Sequence, residues 1–241
     1  MSKSTKLPFL KTQCSLKEVF PTYFFETIVA PNMGVGSDFF GNDPHHEDLA
    51  KAQQRLDDFQ QQHPNALLAN GYLETRSFYN TKHYKRTTNL GVEFRNVHLG
   101  TDFWLPAETP VHAPLNGEVV IAHDNNFHKD YGPLIVLKHS DEGHTFFTLY
   151  GHLSRVSLQH SPKGKKMERG DLLGWIGNPT ENGNWVPHVH FQIATDLLQN
   201  SENFPGVAFA SELAYWTQLC PNPNHFFKEY LPSAKPTSYS G

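Results

Sequence analysis

Three short histidine-bearing segments lie between residues 98 and 191: His98-Leu99-Gly100-Thr101-Asp102, Tyr150-Gly151-His152-Leu153-Ser154 and Pro187-His188-Val189-His190-Phe191. Together they supply four histidines and one carboxylate. A catalytic zinc site needs three N or O ligands, one position open to water, and a group beside it to carry protons. The inventory is sufficient for three ligands with two imidazoles left over.

The spacing indicates how the chain must present them. Val189, Phe191 and Ile193 alternate with His188, His190 and Gln192, the period of a strand. Side chains at i and i+2 of a strand share a face, roughly 6.5–7 Å apart. His188 and His190 therefore share one site, and one imidazole can bind metal while the other stands beside the bound water. Gly100, between His98 and Asp102, allows a bend that turns both side chains toward one point. The apolar run Thr145–Tyr150 places His152 just past a strand end.

Composition bounds the class. The 241 residues allow one large or two small domains, and 38% hydrophobic content supports a packed core. A net charge of −4 gives no electrostatic case for nucleic acid or an anionic membrane. No apolar run approaches the length of a membrane span. Met1–Leu10 shows no secretory signal, and the two isolated cysteines, Cys14 and Cys220, read as free thiols, so the expectation is a reducing, cytoplasmic setting.

The remaining histidines receive other readings. In Asn42-Asp43-Pro44-His45-His46-Glu47-Asp48, Asp43 reads as an N-cap and Pro44 as the first residue of a helix over 44–62, with Leu49, Ala52, Leu56 and Phe59 on its apolar face. His83, His112, His123, His128, His139, His144, His160 and His225 lack a partner at ligand spacing and read as surface or core residues. Residues 63–96 look irregular. From about 97, apolar runs alternate with turns (109–112, 117–123, 134–139, 144–150, 171–176 and 188–194), with Asp141-Glu142-Gly143 as a hairpin turn and a short helix near 211–219.

These residues resemble the M23, or LytM/lysostaphin-like, zinc metallopeptidase family, whose pattern is His-x-x-x-Asp, then Gly-His-Leu-Ser, then His-x-His on a strand. Two framework segments are similar as well, Pro110–Val120 and Glu168–Gly177. The resemblance covers roughly residues 95–195. It implies a mainly β protein, an antiparallel β-sandwich or open barrel with zinc in a groove across the sheet. It implies His98, Asp102 and His190 as zinc ligands, His152 and His188 as the catalytic pair, and zinc-assisted hydrolysis of an amide bond in a peptide or peptidoglycan-like substrate. The flanks around Gly71–Arg76, Arg95–Gly100 and Leu219–Asn224 resemble M23-like modules joined to class III aminotransferases.

The expected organisation is an N-terminal helical and irregular extension (1–96) packed on the core, an M23-like domain (97–200) and a C-terminal extension (201–241). Within it, the 63–96 stretch should border the groove, with Tyr72, Arg76, Tyr79 or Arg95 facing it. The Asn178–Trp185 loop reads equally as a turn or as a groove wall. Two other functions stay open: a zinc hydrolase of a small intracellular amide, and a non-catalytic binding module. The oligomeric state is not legible.

Overall fold

The computed structural model describes residues 14–141 and 143–232. Met1–Leu10, Glu142 of the expected turn and the last part of the C-terminal extension lie outside the described residues.

The elements follow in the order α1 (Leu16–Val19), β1 (Thr27–Val29), α2 (Leu49–Gln62), β2 (Ala66–Asn70), β3 (Lys85–Thr88), β4 (Gly91–His98), β5 (Thr101–Trp104), β6 (Pro110–His112), β7 (Gly117–Asn125), β8 (Gly132–Asp141), β9 (His144–Gly151), α3 (Arg155–His160), β10 (Lys166–Met167), β11 (Leu172–Trp175), β12 (Val189–Ala194), β13 (Val207–Phe209) and α4 (Leu213–Leu219). The protein is mainly β. An eight-stranded sheet runs β1-β2-β5-β12-β9-β8-β7-β10 and stays open, with β1 and β10 as its edges. β1 and β2 pair in parallel, and the remaining neighbours in the sheet are antiparallel. Two small sheets, β6–β11 and β13-β4-β3, flank it. No described helix is long and apolar enough to cross a membrane.

Strand alternation sorts the large sheet into two faces. Leu67, Phe103, Ile135, Tyr150, Phe191 and Ile193 enter one core, which the N-terminal Cys14–Phe25 stretch and Phe226–Leu231 cover. The opposite face carries two clusters. One gathers Leu68 and Trp104 with Ala52 and Leu56 of α2; the other gathers Val136 and Leu149 with Leu219 next to Cys220. Asp102, His190 and Gln192 occupy this second face, between the α2 cluster and the α4 cluster. Cys14 and Cys220 are free and buried in different cores.

The strands expected between 109 and 194 form with small shifts at their ends. Two expectations are corrected. Residues 63–96 are not irregular, since they hold β2, β3 and most of β4. β2, Ala-Leu-Leu-Ala-Asn, is buried at every position and so lacks the alternation that marks a half-exposed strand. The long helix begins at Leu49 with Asp48 as its cap, its side chain accepting from the Lys51 N–H, rather than at Pro44 with Asp43. The groups that would have served an earlier start are engaged elsewhere: Lys129 Nζ takes the His45 carbonyl at 3.0 Å and the Glu47 carboxylate at 3.2 Å. His46 adopts φ 56°, incompatible with a helix, and buries its ring against Phe40 and Phe78.

Leu68 fills the α2 cluster at 2% exposure, so Leu68→Ala should lower the unfolding free energy by about 2–5 kcal/mol in urea titration. Acid should also destabilise the fold. Burial pushes His139 down to about 4, against an ordinary value of 6.5, with Nδ1 donating to the Asn116 carbonyl at 2.8 Å. The unfolded chain binds this proton near pH 6.5 while the native state refuses it until about pH 4, so stability is full above 6.5 and is lost as pH falls through that window. The urea midpoint should drop from pH 7 to pH 4.5, and less steeply in His139→Gln.

Candidate metal centre

Sheet register assembles the site. In the ladders Asn70 lies opposite Asp102, Asp102 opposite His190, and His190 opposite Gly151, one transverse row over β2, β5, β12 and β9. His152 follows Gly151 directly and takes a left-handed backbone, φ 63°, which costs a non-glycine residue about 1 kcal/mol or more. Its N–H donates to the Tyr131 carbonyl, and its own carbonyl accepts from Gly177 N–H, both at 2.9 Å. His98 ends β4 in the neighbouring small sheet. The Leu99–Gly100 bend carries the chain into β5, so His98 and Asp102 approach from two sheets.

All five residues singled out from the sequence come together. His98 Nε2 lies 2.8 Å from His190 Nδ1 and 3.3 Å from Asp102 Oδ1, and His190 Nδ1 lies 3.2 Å from the same oxygen. His188 Nε2 is 4.0 Å from that oxygen, and the His152 and His188 rings are 4.3 Å apart. Every one of the five is buried, His152 the least at 7% exposure.

The outer contacts fix where the protons sit. A carbonyl only accepts, so each imidazole nitrogen facing one carries the hydrogen. His98 Nδ1 donates to the Gly71 carbonyl at 3.1 Å, and His190 Nε2 donates to Gln192 Oε1 at 2.9 Å. The Gln192 amide is oriented by its own Nε2, which donates to the Pro205 carbonyl. His98 Nε2 and His190 Nδ1 are then bare lone pairs in the neutral rings, and they face each other and a carboxylate oxygen. Three acceptors with no proton between them repel, and a cation at their centre turns the repulsion into ligation. Ligand atoms of a tetrahedral zinc lie about 3.3 Å from one another, and the three atoms here lie 2.8–3.3 Å apart. The donor set of two imidazoles and one carboxylate suits zinc.

Electrostatics agree with this assignment. Burial, with the nearby Arg76 charge, pushes His98 down to about 3. Burial alone would raise the Asp102 carboxyl, but His98, Arg76 and His188 outweigh it and hold it well below the usual carboxylate range. His98 is therefore neutral and Asp102 ionised at neutral pH. His152 Nδ1 donates to the Asn182 carbonyl at 2.9 Å and His188 Nδ1 to the Val186 carbonyl at 2.6 Å, which leaves Nε2 of each as an acceptor.

Of the residues expected at the groove, Tyr79 and Arg95 line a cavity of about 190 Å³ beside His152 and His190, and Trp185 forms its wall. Tyr72 does not; its hydroxyl donates to the Cys220 carbonyl at 2.9 Å. Arg76 does not either, because it is buried beneath the centre with Nη1 2.6 Å from Asp102 Oδ2. Sequence reasoning placed Asn182 in a loop that could wall the groove and Gln192 on the His188–His190 face, gave neither a contact to the centre, and assigned no role to Glu74 or Tyr131. Gln192, two positions past His190 on the same face, was accessible to the period-2 argument. Asn182 acts through its backbone carbonyl, and no side-chain pattern reports that.

Residues 96–202 match the model of peptidase family M23. The histidine and aspartate motifs fall within the matched stretch. Two curated relatives are similar. One is the peptidoglycan DD-endopeptidase ShyA of Vibrio cholerae serotype O1, 34% identical over 96 residues, 40% of this chain and 20% of that protein. The other is the glycyl-glycine endopeptidase ALE-1 of Staphylococcus capitis, 29% identical over 136 residues, 56% of this chain and 35% of that protein. This chain thus spans only about a fifth to a third of the length of these relatives. Among solved structures, a zinc containing peptidase from Vibrio cholerae aligns at 28% identity over 46% of this chain and 30% of that chain, with a TM-score of 0.34.

Gly100 is required by close approach. A Cβ there would sit 2.5 Å from His190 Cε1 and 2.7 Å from the Phe191 carbonyl oxygen. Gly100→Ala should displace His190 and cost about 1–3 kcal/mol in urea unfolding; an unchanged midpoint would contradict the packing described.

Proposed function

We propose that this chain is a zinc-dependent hydrolase of the M23 type that cleaves an amide bond in a peptide or peptidoglycan-like substrate. The observation that carries the reading is the convergence of His98 Nε2, Asp102 Oδ1 and His190 Nδ1 within 3.3 Å, with the other nitrogen of both imidazoles committed to an oxygen acceptor. His98, Asp102 and His190 would hold the ion. Zinc, when bound, supplies Lewis acidity to a water and to the scissile carbonyl.

The other two histidines supply the proton chemistry. Burial holds His152 well below its ordinary value and pushes His188 down to about 4, so both are neutral acceptors near pH 7. In each, the Nδ1 hydrogen is anchored on a backbone carbonyl, so that Nε2 takes up a proton during attack and returns it to the leaving amine. The imidazolium formed in passing lies near the Asp102 carboxylate, which lowers its cost. Trp104 stacks on His188 with ring centroids 4.4 Å apart and fixes its plane. Retention of all five residues in working geometry favours an enzyme over a binding module. The names of the relatives favour a peptidoglycan peptide. The depth of the site, with every one of the five side chains buried, favours a small amide as the second reading.

Protein purified without chelator should contain about one zinc per chain, and His98→Ala or Asp102→Ala should abolish it in elemental analysis. His152→Ala and His188→Ala should retain zinc and lower turnover by roughly 10²-fold or more. Loss of metal in either would move that residue into the ligand set. Digestion of purified peptidoglycan, followed by chromatography of the released peptides, separates a wall substrate from a small amide.

A further inference from the structure

Among the described residues, Arg76 ranks first by volume of the fully buried side chains, and it carries a permanent charge. Its Nη1 donates to Asp102 Oδ2 at 2.6 Å and its Nε to Glu74 Oε2 at 2.7 Å. Glu74 is itself pinned: Oε1 accepts from the Met33 N–H at 2.9 Å, and Oε2 from Asn70 Nδ2 at 3.2 Å. The backbone shows why the guanidinium arrives there. Residues 73–76 run along β4, with Leu73 N–H donating to the His98 carbonyl, His98 N–H to the Glu74 carbonyl and Arg76 N–H to the Asn96 carbonyl. Thr75 lies antiparallel to Val97. The turn into this strip requires glycine: Gly71 has φ 122°, and a Cβ on it would fall 2.4 Å from Arg76 Nη2 and 2.6 Å from His98 Nδ1.

We propose that Arg76, held by Glu74, is a positioning residue that occupies Asp102 Oδ2 so that the carboxylate meets the metal through Oδ1 alone. The inference rests on the zinc reading above. A free carboxylate can offer zinc one oxygen or both, and the second oxygen would fill the position that a hydrolytic site keeps open. A short charge-assisted bond from a buried, pre-oriented guanidinium engages that second oxygen. Glu74 neutralises the guanidinium, so the pair acts as a fixed donor rather than as a net positive charge set against the ion. Lysine cannot replace it, because a single ammonium does not span the two carboxylates as the planar fork does. Both residues of the pair lie outside the matched stretch 96–202, so the N-terminal segment positions a ligand of this centre.

X-ray absorption at the zinc edge of the wild-type holoprotein gives the first test and is independent of mutant folding. The expected result is a four-coordinate ion with a single carboxylate oxygen at about 2.0–2.2 Å. A bidentate carboxylate with five or more ligands would overturn the proposal. The second test uses Arg76→Lys and the charge-balanced double variant Arg76→Met/Glu74→Gln, with folding checked by circular dichroism. Zinc affinity by chelator competition should fall roughly 10–100-fold, and in cobalt-substituted protein the visible d–d absorption should weaken as Asp102 turns bidentate. Folded variants with unchanged affinity and an unchanged cobalt spectrum would overturn the role of Arg76 while leaving zinc binding intact. If the variants do not fold, the wild-type absorption result decides. A wild-type protein that bound no zinc would remove the zinc reading and this inference together.

Discussion

Two imidazole nitrogens and one carboxylate oxygen, all lone-pair acceptors, are held within 3.3 Å of one another in a buried site. Left uncompensated, this arrangement is unfavourable, because like-signed lone pairs repel most strongly where water is excluded. The surrounding structure enforces it nonetheless. Ladder register sets Asp102 beside His190, the bend at Leu99–Gly100 brings His98 across from the second sheet, and Gly71 and Gln192 take the hydrogens that would otherwise lie between the acceptors. These contacts, which hold three acceptors together, are what support the proposed cation site.

The same logic explains the extent of the fold. The family match ends at residue 96 on its N-terminal side, yet β2 lies next to β5 in the sheet, and Asn70 sits opposite Asp102. From Asn70 a polar chain runs around the centre. Its Oδ1 accepts from Trp104 Nε1 at 2.7 Å, and Trp104 stacks on His188; its Nδ2 meets Glu74, which meets Arg76, which meets Asp102. Asp102 and His188, the proposed ligand and proton carrier, are thus braced by a single amide. On the far wall, Lys129 reaches into the N-terminal segment with Nζ on the carbonyls of His45 and Phe78, and it lies 5.1 Å from the centre of the Trp185 ring. The wall of the cavity and the segment beneath it are therefore one packed unit.

The sequence exposed the chemistry more clearly than the scaffold. The alternation around His188–Ile193 was readable because one face of β12 is apolar and the other polar, and the spacing from His98 to Asp102 was readable because a glycine interrupts it. β2 was not readable, since burial on both faces erases alternation. The start of α2 was misplaced because Asp43 and Pro44 carry the local signature of a helix start, while Lys129, far away in sequence, engages the His45 carbonyl and the Glu47 carboxylate. Arg76 was noticed as a basic residue near the groove. Its place beneath Asp102 depends on backbone pairing between the 73–76 strip and β4, a non-local fact that no short motif encodes.

Anomalous diffraction from a crystal of the protein, recorded on both sides of the zinc edge, tests the central claim most directly. The account predicts one strong peak about 2.0–2.1 Å from His98 Nε2, Asp102 Oδ1 and His190 Nδ1, with His152 and His188 outside bonding distance. A peak bonded to His152 or His188, or no zinc signal among these three atoms, would contradict it.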